Sequence, residues 1–300
     1  MQRLVYWLVY PLLWIISKLP FPIFYLVSDF VFLLVFYVFR YRRKTVQDNL
    51  RLVFPEKSNH ELKRIEKKFF SHMVDMFLEM IKSISISDKE LKKRFRLTNV
   101  KELRKIEGEG KSILLACGHY ASYEWMTALQ LYGINYKGFG VYKKVKNPYF
   151  DRLARRIRGR YNGELIPTYR ATKTITENEK KKIKGLYAMI ADQSPKLNRA
   201  KAWTDFMGIR VPIFLGTESL SRSLDMAVVF LQIEKVGRGY YEATFKTISI
   251  TPKEEEDFYI TRTYTKLLEK QIREKPEYYL WTHKRWKHRD APIPKDALVF

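Results

Sequence analysis

The hydrophobic pattern divides the chain into two unequal parts. From Leu4 to Phe39 the residues are overwhelmingly apolar and aromatic, broken by Lys18, the Pro20-Phe21-Pro22 bend and Asp29. After residue 44 apolar positions become periodic and alternate with charge. Leu62, Ile65, Phe69, Val74, Phe77, Leu78 and Ile81 predict a long amphipathic helix over Glu61–Ile81. Short apolar runs predict strands at 112–116, 136–141, 164–167, 186–191, 226–233 and 241–250. Helical patterns at 122–132, 147–158, 172–182 and 217–223 fall between most of them. This alternation predicts an α/β fold with a largely parallel central sheet flanked by helices. The last two strands are joined by Lys235-Val236-Gly237-Arg238-Gly239, which reads as a hairpin turn. Without repeats or Gly/Ser linkers, residues 45–300 read as one catalytic-size domain behind an N-terminal segment, 1–44.

The N-terminal segment has membrane character. Ile23–Phe39 is 17 residues, about 25 Å as a helix, against a bilayer core of about 30 Å. Arg40-Tyr41-Arg42-Arg43-Lys44 follows directly, a flank that belongs on the cytoplasmic side. Tyr6, Trp7, Tyr10, Trp14 and Tyr25 suit an interface better than a buried core helix. Two apolar stretches with no small-residue cleavage motif argue against a cleaved signal peptide. Residues 1–44 therefore read as a membrane anchor with a basic flank: one transmembrane helix, a hairpin, or two helices lying in one leaflet.

Charge narrows the partners. Lys and Arg number 56 against 32 Asp and Glu, a formal net charge of +24, which calls for an anionic partner. Lys143, Lys144, Lys146, Arg152, Arg155, Arg156, Arg158 and Arg160 crowd one window, and Arg152, Arg155 and Arg158 share a helical face. A second cluster, His283-Lys284-Arg285-Trp286-Lys287-His288-Arg289, follows Trp281. Interleaved rings and bases fit lipid headgroups. No nucleic-acid-binding signature accompanies them, so no nucleic-acid partner is expected. The single cysteine, Cys117, excludes an intrachain disulfide and any multi-cysteine zinc site, and packs as a small apolar residue of its strand.

The candidate chemistry begins where the strand 112–116 ends, at Gly118-His119, with Glu124 five positions on. On one continuous helix that offset would turn the two side chains about 140° apart. They meet only if His119 lies in the loop and Glu124 in the first turn of the next helix, with Ser122 as its N-cap. An imidazole held by a carboxylate at the carboxyl end of a strand suits a general base. Asp192-Gln193 follows the strand 186–191, at the same end of the sheet, as a second polar site or a turn-initiating Asp.

The ordered set of motifs resembles the lipid A biosynthesis acyltransferases, the late lauroyl/myristoyl-type enzymes of the glycerolipid/lysophospholipid acyltransferase superfamily. The resemblance covers nearly the whole chain. It rests on the apolar N-terminus and on the His-x4-acid motif, His119…Glu124. It continues in Arg158…Asn162…Ile166-Pro167, with Asn162 or Gly163 carrying the turn where the family has Gly. Asp192-Gln193, Phe206-Met207-Gly208 with Val211-Pro212 and Gly216-Thr217, and Trp281-Thr282-His283-Lys284-Arg285 complete the set.

The resemblance implies acyl transfer from an acyl-acyl carrier protein thioester to a hydroxyl of a lipid A precursor, at the bacterial inner membrane with the catalytic domain on the cytoplasmic side. Its partners would be acyl carrier protein, an anionic phosphorylated glycolipid and the membrane. No cofactor or metal is expected, acyl-acyl carrier protein or acyl-CoA being a co-substrate. His119 would be the base and Glu124 would fix its tautomer, with no covalent enzyme intermediate. Arg158, with Arg155, Asp192 and Gln193, would bind substrate, Arg158 holding a phosphate in preference to an oxyanion. Two rivals stand beside this reading: an acyltransferase acting on a lysophospholipid, glycolipid or aminolipid, and a non-catalytic membrane-anchored basic binding protein.

Overall fold

A computed structural model describes residues 1–300. The order of elements follows from the alternation of apolar patterns. Two apolar helices, α1 (Gln2–Lys18) and α2 (Phe21–Leu33), are followed by α3 (Arg43–Val53), α4 (Asn59–Lys82) and α5 (Asp88–Arg94). Next come β1 (Phe95–Leu97), α6 (Lys101–Gly108), β2 (Ile113–Cys117), β3 (Lys137–Tyr142), α7 (Pro148–Arg158) and β4 (Glu164–Pro167). The remainder is α8 (Ala171–Lys180), β5 (Gly185–Ile190), β6 (Ala202–Phe206), β7 (Ile209–Ile213), α9 (Gly216–Leu224), β8 (Ala227–Gly237), β9 (Tyr240–Ser249), α10 (Tyr259–Glu274) and β10 (Leu298–Val299).

The main sheet has seven strands in the order β1-β9-β8-β2-β5-β3-β4. Every neighbouring pair in it is parallel except β8–β9, which forms the hairpin that turns through Gly239 at φ +73°. β2 lies in the middle, buried at every position, as expected of a strand covered on both faces. A small sheet, β10-β6-β7, sits apart. Its β6–β7 turn uses Met207 and Gly208, both at positive φ, the backbone of a two-residue hairpin loop. Neither strand of that hairpin is legible as an alternating run, and α10 is likewise absent from the sequence expectation.

Two local expectations change. The segment after His119 is a 3₁₀ helix, Tyr123–Tyr132, and Ser122 does not cap it. Ser122 is buried and its hydroxyl donates instead to the Glu79 carboxylate of α4. The turn between α7 and β4 is carried by Asn162, at φ +61°, and not by Gly163.

α2 continues through a π-helical turn, Leu34–Val38, so that Phe21–Val38 is one apolar run long enough to cross a bilayer. It lies against α4 along one edge. Phe24, Phe32 and Phe36 are buried at helical spacing, and Phe36 meets Phe70 edge-on. Ser28 donates to Asp75, and Arg238 of the hairpin bridges Asp29 and Asp75. The opposite face exposes Ile23, Leu26, Phe30 and Leu33, and α1 exposes Leu4, Trp7, Leu8, Leu12 and Ile15. An unpartnered apolar surface of that extent associates with a membrane.

Candidate active site

Sheet register brings the polar residues together. β2 and β5 pair in parallel with Cys117 opposite Ile190. The residues two steps beyond each, His119 and Asp192, therefore face one another past the carboxyl ends of adjacent strands, where sheets of this kind bind ligands. His119 Nδ1 lies 2.6 Å from Asp192 Oδ1, and the His119 backbone N–H donates to Asp192 Oδ2 at 3.1 Å. The second ring nitrogen, Nε2, meets the Gln193 side-chain amide at 3.2 Å. The Tyr123 ring packs edge-on against the imidazole.

This arrangement corrects the sequence expectation that Glu124 holds the ring. The carboxylate on the imidazole is Asp192, whose side chain is only 1% exposed. Glu124 instead forms a two-pronged ion pair with Arg158, 2.9 Å to Nε and 2.6 Å to an Nη. The reason is geometric. The Tyr120 N–H closes a tight turn onto the Gly118 carbonyl at 2.8 Å, Ala121 follows at φ +49°, and the 3₁₀ segment then points Glu124 toward α7. Parallel register delivers Asp192 to the vacant side of the ring.

The electrostatics follow from the pairing. Burial alone would lower the His119 pKa, but the adjacent Asp192 charge and hydrogen bond, with a smaller contribution from Glu124, raise it above the ordinary histidine value. Burial alone would raise Asp192, but the imidazole and N–H donors hold it below the usual carboxylate range. With a proton on Nδ1 facing Asp192, a neutral His119 presents a lone pair at Nε2. The Cys117 thiol is pushed up by burial and is no competing nucleophile.

Nε2 opens on a cavity of about 740 Å³. Its wall is apolar along Leu115, Met126, Leu129, Phe139, Val141 and Leu186, and polar at His119, Glu124, Arg158 and Gln193. Lys143, Lys196 and Arg199 add positive charge to the lining. The volume suits a long apolar chain and the charges suit an anionic group.

Of the sequence candidates, His119, Glu124, Arg158 and Gln193 line this cavity, and Asp192 stands directly behind His119. Arg155 does not join them. It sits on the exposed face of α7, since Arg158 alone of that helical stripe turns inward to Glu124. Sequence reading missed the positive residues that follow β5, Lys196 and Arg199, which no spacing marks.

The late aromatic-basic cluster buttresses the site. Its His283 Nε2 accepts the Ser194 backbone N–H at 3.3 Å. Burial pushes His283 down to about 4, so its nitrogen is free to accept. Ser194 Oγ donates to the Arg285 carbonyl, and the buried Arg285 guanidinium donates to Pro212 O at 3.1 Å. From α3, Asn49 donates to the carbonyls of Trp281 and His283. The loop carrying Asp192-Gln193-Ser194 is thus pinned from behind. No three His, Cys, Asp or Glu side chains converge as a metal site.

Comparison with known proteins agrees with this architecture. The model of the bacterial lipid A biosynthesis acyltransferase family matches residues 1–288. A lipid A biosynthesis lauroyltransferase of Escherichia coli is 25% identical over 297 residues, covering 96% of this chain and 93% of that protein. A lipid A biosynthesis palmitoleoyltransferase of the same organism is 22% identical, covering 98% and 94%. A lipid A biosynthesis acyltransferase of Shigella flexneri is also 22% identical over the same shares. With the match running through both the apolar helices and the His119 cavity, the chain belongs to the bacterial lipid A biosynthesis acyltransferase family and is a membrane-associated acyltransferase.

Proposed function

We propose that the chain transfers a fatty acyl group from a thioester of acyl carrier protein, or of acyl-CoA, to a hydroxyl of a phosphorylated lipid A precursor, with His119 as the general base. The observation that carries this reading is one imidazole clasped by Asp192 on Nδ1 and lining a cavity whose wall combines apolar side chains with positive charge.

An acceptor hydroxyl takes the place of the Gln193 amide at Nε2 and gives its proton to the ring as the oxygen attacks the thioester carbonyl. Asp192 keeps the proton of the neutral ring on Nδ1 and stabilises the imidazolium that forms. The tetrahedral intermediate expels the thiolate, and the imidazolium returns the proton to sulfur. No enzyme-bound acyl intermediate is needed. Glu124 and Arg158 act as a unit, in which the carboxylate aims the guanidinium at an acceptor phosphate. The apolar wall receives the acyl chain. The net charge of +24 and the α7 arginines suit an acidic carrier protein and an anionic glycolipid. The Arg40–Lys44 flank supports an inner-membrane position with the catalytic domain, residues 45–300, on the cytoplasmic side.

The test is incubation of full-length protein with a defined acyl-carrier thioester and a tetra-acylated lipid A precursor, followed by product mass. One added acyl chain is expected, and none with His119→Ala. Full transfer by a folded His119→Ala variant overturns the base assignment. Acylation of a lysophospholipid, with the disaccharide left untouched, overturns the acceptor.

A further inference from the structure

Glu79 is a fully buried carboxylate in the last turn of α4 that the proposed reaction does not use. A carboxylate out of water is costly unless its oxygens are satisfied. Three hydroxyls from three different elements satisfy this one. Tyr25 of α2 donates to Oε1 at 2.9 Å, while Ser122 at 3.1 Å and Tyr241 of β9 at 2.8 Å donate to Oε2. The same residue's backbone carbonyl accepts the Trp125 indole N–H at 3.1 Å.

Ser122 and Trp125 flank Glu124, and Ser122 sits between His119 and Glu124 in the turn that aims both. That turn is strained, since Ala121 holds a left-handed backbone that a residue with a Cβ rarely adopts. Its other side is clamped by backbone bonds, Ala121 N to Tyr278 O at 2.9 Å and Leu280 N to His119 O at 3.2 Å. Tyr120 adds a side-chain anchor to α10, and Glu79 supplies the one that leads to the apolar helix. It is also one hydrogen bond from the apolar helix, through a tyrosine whose neighbours Ile23 and Leu26 face outward.

We propose that Glu79 is a positioning residue that joins the N-terminal apolar helix to the His119–Glu124 turn, so that seating of α2 is felt in the geometry of the base through the chain Tyr25–Glu79–Ser122. This rests on the reading of His119 as the base. It predicts that hydroxyls on opposite sides of Glu79, belonging to residues 97 positions apart (122 minus 25) and sharing only that carboxylate, are energetically coupled in catalysis.

The experiment is a double-mutant cycle on full-length protein in phospholipid vesicles, using Tyr25→Phe, Ser122→Ala and both together, with Glu79→Gln as a further background. Each hydroxyl deletion removes one atom, so folding survives even where Glu79→Ala does not fold, and melting temperature checks this. Because each deletion leaves a buried carboxyl oxygen short of a partner, Ser122→Ala lowers kcat about tenfold and Tyr25→Phe several-fold, with acceptor KM moving less than about twofold. The double variant falls short of the product of the two losses by about threefold or more, and on the Glu79→Gln background the deletions cost little further. Multiplicative losses, unchanged kcat in either single variant, or a change in KM alone overturns the coupling. His119→Ala run in parallel separates the two ideas. If it is inactive and the cycle is multiplicative, only the role of Glu79 falls; if it is active, the site itself falls.

Discussion

The His119–Asp192 pair and the Glu124–Arg158 pair share one cavity, yet they are built in opposite ways. Asp192 is sealed, with its side chain 1% exposed, and spends its oxygens on a ring nitrogen and backbone N–H of a single residue. Glu124 is 10% exposed, and its guanidinium partner, 26% exposed, lines the cavity. The first pair sets a tautomer and a proton affinity. The second holds a permanent charge at the edge of a space where an anion fits. The difference teaches that the acid nearest the histidine in sequence is not the acid that holds it. Local spacing sends Glu124 across the cavity, whereas strand register brings Asp192 from 73 positions away.

The comparison breaks most visibly at Asp192. Asp192→Asn preserves shape but removes the charge that orients the ring, and kcat falls on the order of 10³–10⁴-fold, the scale seen when a triad carboxylate becomes an amide. A loss smaller than that of Glu124→Gln, measured by single-turnover transfer, would invert the assignment. Glu124→Gln leaves Arg158 without its orienting charge and lowers kcat/KM about a hundredfold. Steady-state rates at saturating donor check it.

Arg158→Ala raises the acceptor KM about tenfold to a hundredfold, more than it lowers kcat. A dephosphorylated acceptor removes the difference between wild type and variant. Equal losses on both acceptors would deny the phosphate role.

The smallest effect is on stability. Asp192 is depressed and His119 raised. The pair's contribution is therefore full above the ordinary carboxylate range and below the ordinary histidine value of 6.5. It is lost as pH falls through the folded pKa of Asp192, and also as pH rises through the raised pKa of His119. The melting-temperature gap between wild type and Asp192→Asn should be a few degrees near pH 6 and shrink by pH 9. A gap that widens with pH contradicts the pairing.

Six of the seven main-sheet strands were readable as short apolar runs, 164–167 coinciding with β4, whereas the three-residue β1 and the small-sheet strands β6, β7 and β10 carry no such run. The positions of His119 and Asp192 at the carboxyl ends of β2 and β5 were readable for the same reason. Their contact was not, because strand order 8-2-5-3-4 within the sheet is set by packing between distant segments. Arg155 and Arg158 look alike in sequence and differ only in which side of α7 meets the cavity. Ser122 resembles an N-cap, and only the buried Glu79 carboxylate explains its other use. The apolar helix was visible from composition, while its seating on α4 through Ser28, Asp29 and Phe36 depends on partners 40 or more positions away in two of those contacts.

The most direct test of the account is the pH dependence of kcat/KM, which reports ionisations of the free enzyme. Wild type should gain activity as pH rises through an inflection above 6.5, the ordinary histidine value. Asp192→Asn should move that inflection to lower pH, and Glu124→Gln should move it less. An inflection that stays in place in Asp192→Asn while shifting in Glu124→Gln would contradict the account.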